Sequence, residues 1–279
     1  MIASIIDWLT SSATWSGEGG LGARIVEHLW YSVLAVAVAA MIAVPLGLWV
    51  GHTGRAKWLV SVANSLRAVP TLGLLFAVAL WLGPKIQGDL AFLIPSIVVL
   101  VILVIPPILS GVYAGVEAVD PAARDAARGM GMTGGEVVRQ VEIPNALPLM
   151  LSGLRSAFLQ VIATATVAAY VGLGGLGRYL IDGIKTGDYV STAGGAIVVS
   201  VLALVVDGVL ALVQRAVVSP GLTGRATRRR RAEGDRAVDG PGTNSRNPDA
   251  RSVATGMSAP ADEVAPSADQ TRSSTSTRQ

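Results

Sequence analysis

The residues of this chain that could do chemistry are few, and their spacing excludes most of it. Two histidines, His28 and His52, offer no metal-ligand spacing and lie near the edges of apolar runs, so both read as interfacial. Cysteine is absent, which removes disulfides, thiol nucleophiles and cysteine metal sites. No paired-carboxylate, Ser/His/Asp or metal constellation gathers at a shared depth, which argues against a membrane enzyme. Gly172, Gly174 and Gly177 match G-x-G-x-x-G, a spacing that can cradle a phosphate. That motif needs a preceding strand and a βαβ unit, and an apolar helical run precedes it here. The chain also lacks G-x-x-x-x-G-K-S/T, so it cannot hydrolyse ATP through a P-loop of its own.

The elements that carry these residues are apolar. Of 279 residues, 51% are hydrophobic and 15% charged, where a soluble domain has about a quarter charged. The apolar residues fall in runs near membrane-span length. Five spans are expected, at about 28–50, 58–82, 90–113, 145–170 and 192–213. Trp30, Tyr31 and Trp49 mark the two interfaces of the first span, and Pro45 should kink it. The second holds Asn64, Arg67 and Pro70. Arg67 must snorkel, pair or line a pathway, and Pro70 should kink the helix by freeing the Leu66 carbonyl. Pro106 and Pro107 bend the third span, as a hinge or as a kink that fits the bundle. Arg155, Gln160, Thr164 and Thr166 lie in the fourth. The last three could face a pore or simply pack between helices, and Arg155 could bridge to the polar stretch before it. Asp207, in the fifth span, reads as structural.

Residues 1–26 are mixed. Ile2, Ile5, Ile6, Trp8 and Leu9 suit a short interfacial helix, and 10–22 reads as loose. The first residues lack a basic start and a long apolar core, so no cleavable signal peptide is expected. Residues 219–279 are poor in large apolar side chains and should be disordered. Arg225 and Arg228 to Arg231 form a basic cluster suited to anionic lipid; with no interleaved aromatics, nucleic acid is a poor fit.

One polar stretch, 119–144, separates the third and fourth spans. Asp120 and Pro121 start a helix as N-cap and first residue. Ala122, Ala123, Ala126 and Ala127 would give it a smooth face, and Gly129 and Gly131 end it. Thr133 and Glu136 have capping-box spacing and start a second helix that should stop at Pro144. A connector this long and this well capped looks built to dock on a partner.

The stretch resembles the cytoplasmic coupling loop of ABC-importer permeases, whose pattern is Glu-Ala-Ala, three residues, Gly, nine residues, Ile-x-Leu-Pro. Asp125-Ala126-Ala127, Gly131 and Val141-Glu142-Ile143-Pro144 stand at those places, with three conservative departures. The segments at 27–51, 65–75 and 126–155 are similar to the osmoprotectant group that carries glycine betaine, choline or carnitine. Arg67 departs from the uncharged polar residue commoner there.

The resemblance implies an all-α membrane protein of the type I ABC-importer permease kind. It would have about five kinked transmembrane helices and a cytoplasmic coupling helix pair, with a permease domain at 27–218. It implies no cofactor on this chain, since ATP is bound by a partner. The implied partners are an ATPase dimer, a second permease subunit and an extracytoplasmic binding protein, besides membrane lipid. Asp125, Ala126, Ala127, Gly131, Val141, Ile143 and Pro144 become candidate ATPase-coupling residues. Arg67, Pro70, Pro106 and Pro107 become candidate pathway or hinge residues. An amino-acid importer such as one for methionine shares the glycine-rich outer loop of 171–189, and a non-transporting scaffold is the alternative from another class.

Topology can be read without the resemblance. Arg55, Lys57, Arg124, Arg128, Arg139 and the arginine cluster fall on one side. Arg24, Lys85, Arg178 and Lys185 fall on the other, offset by Glu18, Glu27, Asp89, Asp182 and Asp188. The positive-inside rule then places the N-terminus outside a bacterial plasma membrane and the C-terminus in the cytoplasm.

Overall fold

The computed structural model describes residues 1–17 and 19–218. The expected disordered tail and its arginine cluster lie outside the described residues. Those described are helical, with no strand among them. Two short N-terminal helices, α1 (Ile2–Thr10) and α2 (Ser12–Trp15), precede α3 (Leu21–Thr53). Next come α4 (Trp58–Ser65), α5 (Thr71–Leu82) and α6 (Leu90–Glu117). The polar stretch forms α7 (Pro121–Gly129) and α8 (Gly134–Val137). A π-helical turn, Val138–Glu142, then leads into α9 (Ile143–Ala168). α10 (Gly177–Thr186) and α11 (Tyr189–Val217) are the last helices among the described residues.

Four helical stretches are long and apolar enough to cross a membrane: α3, α6, Gly134–Val171 and α11. The second expected span, 58–82, is not one kinked helix. It is a pair, α4 and α5, bent by 93° at Pro70. Proline has no N–H to continue the helix, and it pushes the residue before it to extended geometry. Val69 accordingly has ψ 127°, and the Leu66 carbonyl accepts the Val69 N–H in a tight turn instead (3.1 Å).

The core lies between α3, α6 and α9. Ala35, Ala39 and Ala43 of α3 meet Val99, Val104 and Ile108 of α6 and Ala157, Val161 and Ala165 of α9, all buried. Small residues bring these backbones together, as membrane helices require where lipid supplies no hydrophobic contrast. At the α6–α9 crossing a Cβ on Gly111 would lie 2.7 Å from the Gly153 Cα, so neither position has room for a side chain. α11 instead exposes Leu204, Val205, Val209 and Leu212, an apolar face suited to lipid tails.

Several polar side chains turn inward. The Gln160 amide donates to the Leu103 carbonyl, and Thr164 and Thr166 donate to carbonyls one turn back in their own helix. Arg155 does not bridge to the polar stretch. It makes a bidentate pair with Asp207 that ties α9 to α11. Sequence spacing from Arg155 could not show this, because the partner lies on another helix.

The N-terminal segment is more ordered than 10–22 suggested. The Trp15 indole N–H donates to the Leu9 carbonyl (2.7 Å) and folds α2 back on α1. Trp8 covers Gly194 of α11 and meets the Tyr179 ring edge-on at 5.3 Å.

Candidate coupling site

The polar stretch is built as its residues dictate. The Asp120 carboxylate accepts the Ala122 N–H (2.9 Å), and Pro121 opens α7 where no N–H is needed. α7 ends in a Schellman motif. The Gly131 N–H bonds to the Arg128 carbonyl (2.9 Å) and the Met132 N–H to the Ala127 carbonyl (3.2 Å). Gly131 has φ +87°, the left-handed conformation that this motif demands and glycine supplies. Glu136 then accepts from both the N–H (2.7 Å) and the hydroxyl (2.8 Å) of Thr133, capping α8.

Two expectations change here. The second helix does not stop at Pro144. Pro144 stands in the first turn of α9, where a missing N–H is tolerated, and the π-helical turn carries the chain into the span without a break. The four alanines also do not share one face. Ala122, Ala123 and Ala126 are exposed, while Ala127 is buried against the interior.

The free face of α7 therefore presents small alanines flanked by Asp125 (75% exposed) and Met130 (73% exposed). Gly131 is exposed just beyond it. Val141, Ile143 and Pro144 are half-buried where the π turn joins α9. The candidate coupling residues thus separate into an exposed group, Asp125, Ala126 and Gly131, and an inward or half-buried group. The inward group joins the loop to the bundle. Met130 was not marked by the sequence, because an apolar residue at a helix end carries no signal until its exposure is known.

Glu142 was not marked either. It fills the unspecified position of the Ile-x-Leu-Pro pattern, yet its side chain is fully buried. Arg124 Nε lies 3.0 Å from one carboxylate oxygen and His52 Nδ1 lies 2.9 Å from the other. A charge flanked by Val141 and Ile143 was the available signal. Neither histidine is simply interfacial. His52 is half-buried on Glu142, and His28 is fully buried with Nε2 3.1 Å from the Ile162 carbonyl.

Arg67 and Pro70 are exposed at the bend between α4 and α5. Pro106 and Pro107 are buried in α6, which runs through both without a break. The bend and the proline pair therefore lie in different surroundings, one accessible and one packed.

At the other end of the bundle the glycine-rich loop forms no nucleotide cradle. Glu27 accepts the Gly175 N–H (2.8 Å), the Tyr31 hydroxyl (2.7 Å) and the Arg24 guanidinium (2.8 Å). Gly172 and Gly175 take positive φ, and a Cβ on Gly174 would overlap the Glu27 carboxylate. An open cavity of about 590 Å³ lies beside this loop, lined by Tyr31, Asp89, Phe92 and Arg178 among others. The Ser191 hydroxyl and N–H hold the Asp188 carboxyl below its ordinary value at the start of α11.

Residues 43–219 match the family described as binding-protein-dependent transport system inner membrane component. The chain is 35% identical over 201 residues to the glycine betaine/carnitine/choline transport system permease protein OpuCB of Bacillus subtilis, covering 71% of this chain and 88% of the relative. It is 34% identical over 205 residues to the osmoprotectant import permease protein OsmW of Salmonella typhimurium, covering 73% and 94%. Among solved structures, the inward-facing MetNI methionine ABC transporter shares the fold with a TM-score of 0.62 at 22% identity, over 71% of this chain and 97% of that one. An amino acid ABC transporter solved with histidines gives a TM-score of 0.58 at 24% identity, over 70% and 93%. The fold, the capped loop between spans and these relatives agree, and the chain belongs to the family of binding-protein-dependent ABC-transporter permeases, as a transmembrane transport subunit.

Proposed function

We propose that this permease moves a quaternary-amine osmoprotectant, such as glycine betaine, choline or carnitine, inward across a bacterial plasma membrane. The observation that carries the reading is the likeness to permeases named for those substrates, which spans most of the bundle at 30–37% identity. Energy comes from ATP hydrolysis on a separate ATPase dimer. An extracytoplasmic binding protein delivers the substrate, and a second permease subunit completes the pathway.

The exposed face of α7 is the docking surface for the ATPase. Its alanines allow close approach, Asp125 offers a charge partner and Gly131 sets the bend that presents the helix. Val141, Ile143 and Pro144 pass the motion of the loop into α9. The distribution of lysine and arginine supports a cytoplasmic coupling loop with the N-terminus outside. That orientation counts α4 and α5 together as one broken span, a form that often lines transport cavities.

A mild-detergent pull-down of the tagged chain from its host tests the reading. An ATPase and a binding protein should be recovered, and the binding protein should take betaine or choline in titration. A binding protein that takes an amino acid and no quaternary amine would refute the substrate class. Recovery of the intact chain with no ATPase, even after cross-linking, would refute the coupling role.

A further inference from the structure

The Glu142 carboxylate sits where four elements meet. It leaves the π-helical turn just before α9 and is shielded from solvent entirely. Its two oxygens are held by different helices, one by Arg124 of α7 (3.0 Å) and the other by His52 at the inner end of α3 (2.9 Å). Arg124 also donates to the Val116 carbonyl near the end of α6. Arg124 Nε and the facing carboxylate oxygen are buried 3.0 Å apart, and neither makes a hydrogen bond, so this contact is one of charge alone. α7 itself packs on the adjoining α8 and the π turn, so Arg124 is its polar reach into the spanning helices.

We propose that Glu142 is a positioning residue for transport, clamping the docking helix to the inner ends of three spans. The proposal rests on the importer reading above. A buried carboxylate is stable only while its partners hold it, so the cluster favours one arrangement of α3, α6, α7 and α9 over any that separates them. A displacement of α7 then moves the three spans as one body instead of being absorbed by the loop. Apolar packing would join the elements too, but it permits sliding, whereas parting a buried carboxylate from Arg124 and from its hydrogen bond to His52 would leave a charge unpaired away from water.

The test uses the full complex with its ATPase and binding protein in proteoliposomes, comparing wild type, Glu142→Ala, His52→Ala and the double variant. Radiolabelled glycine betaine uptake and ATP hydrolysis are measured on the same vesicles. Glu142→Ala should keep hydrolysing ATP, while substrate moved per ATP falls by about tenfold. His52→Ala should fall less, and the double variant should be no worse than Glu142→Ala, as for residues acting through one cluster. Hydrogen exchange on the same complexes should be faster across 119–133 in Glu142→Ala.

An unchanged ratio of substrate to ATP in inserted Glu142→Ala would overturn the proposal, as would unchanged exchange in that loop. If Glu142→Ala fails to insert, His52→Ala decides alone, and a wild-type ratio there overturns the clamp. A wild-type complex that moves no quaternary amine would refute the substrate class instead, and the ratio is then read with whatever the binding protein carries.

Discussion

Gln160 of α9 donates its side-chain amide to the Leu103 carbonyl of α6 at 2.9 Å, the carbonyl that Pro107 leaves without its helical donor. A helix proline withholds an N–H from the residue four positions back. Inside a membrane no water replaces it, so a neighbouring helix must. The buried proline of α6 and the polar residue of α9 are therefore one device.

Gln160→Leu should leave that carbonyl unpaired and destabilise the protein by about 1–3 kcal/mol. Pro107→Ala restores the N–H, so the pair Pro107→Ala with Gln160→Leu should recover much of the loss. Thermal unfolding in detergent measures both. Equal loss in the single and double variants would show that Gln160 acts through packing alone.

Gly131→Ala forces a Cβ into left-handed backbone at φ +87°, at a cost of about 1–2 kcal/mol. Nothing lies within 4 Å of the added carbon, so the effect comes from the bend and not from a clash. The variant should insert normally yet retain less ATPase on co-purification. Gly131→Asn should be milder, because asparagine tolerates this conformation better. Equal retention in all three proteins would remove Gly131 from the docking geometry.

Arg155 and Asp207 hold α9 and α11 together by a bidentate pair that is 37% and 23% exposed. Either residue alone is a charge placed at membrane depth without its partner. Arg155→Ala and Asp207→Asn should each lower the yield of folded protein extracted from membranes. The exchanged pair, Arg155→Asp with Asp207→Arg, should recover part of it. Gel-filtration yield in mild detergent reads the result, and no recovery would mean that the geometry of the pair matters more than its charge.

Gly174→Ala places a Cβ 1.9 Å from a Glu27 carboxylate oxygen. Either Glu27 releases the Gly175 N–H or the glycine-rich loop shifts. Uptake should become less responsive to the binding protein, while ATPase retention stays near wild type because the coupling loop is at the other end. Gly174→Ala together with Glu27→Ala, which removes the obstruction, should respond better than Gly174→Ala alone. Half-maximal binding-protein concentration in proteoliposome uptake is the measurement.

Much of this protein is written locally. Run length gave the spans, since a helix must satisfy its own backbone to cross lipid. Asp120, Pro121, Thr133, Glu136 and Gly131 marked the helix starts and the bend of the coupling loop, because capping acts between residues a few positions apart. The spacing of Asp125-Ala126-Ala127, Gly131 and Val141 to Pro144 carried the likeness to importer permeases, and the relatives bear out that family.

What depends on contacts between distant residues was not legible. Pro70 announced a kink, but whether the helix tilts or breaks by 93° is decided by what packs on each half. The inward turn of Ala127, the burial of His28 and Glu142, and the meeting of Arg155 with Asp207 all need the third dimension. A charge inside an apolar run tells only that a partner must exist, because its energy depends on separation in space and not along the chain. The tertiary structure alone supplied that partner.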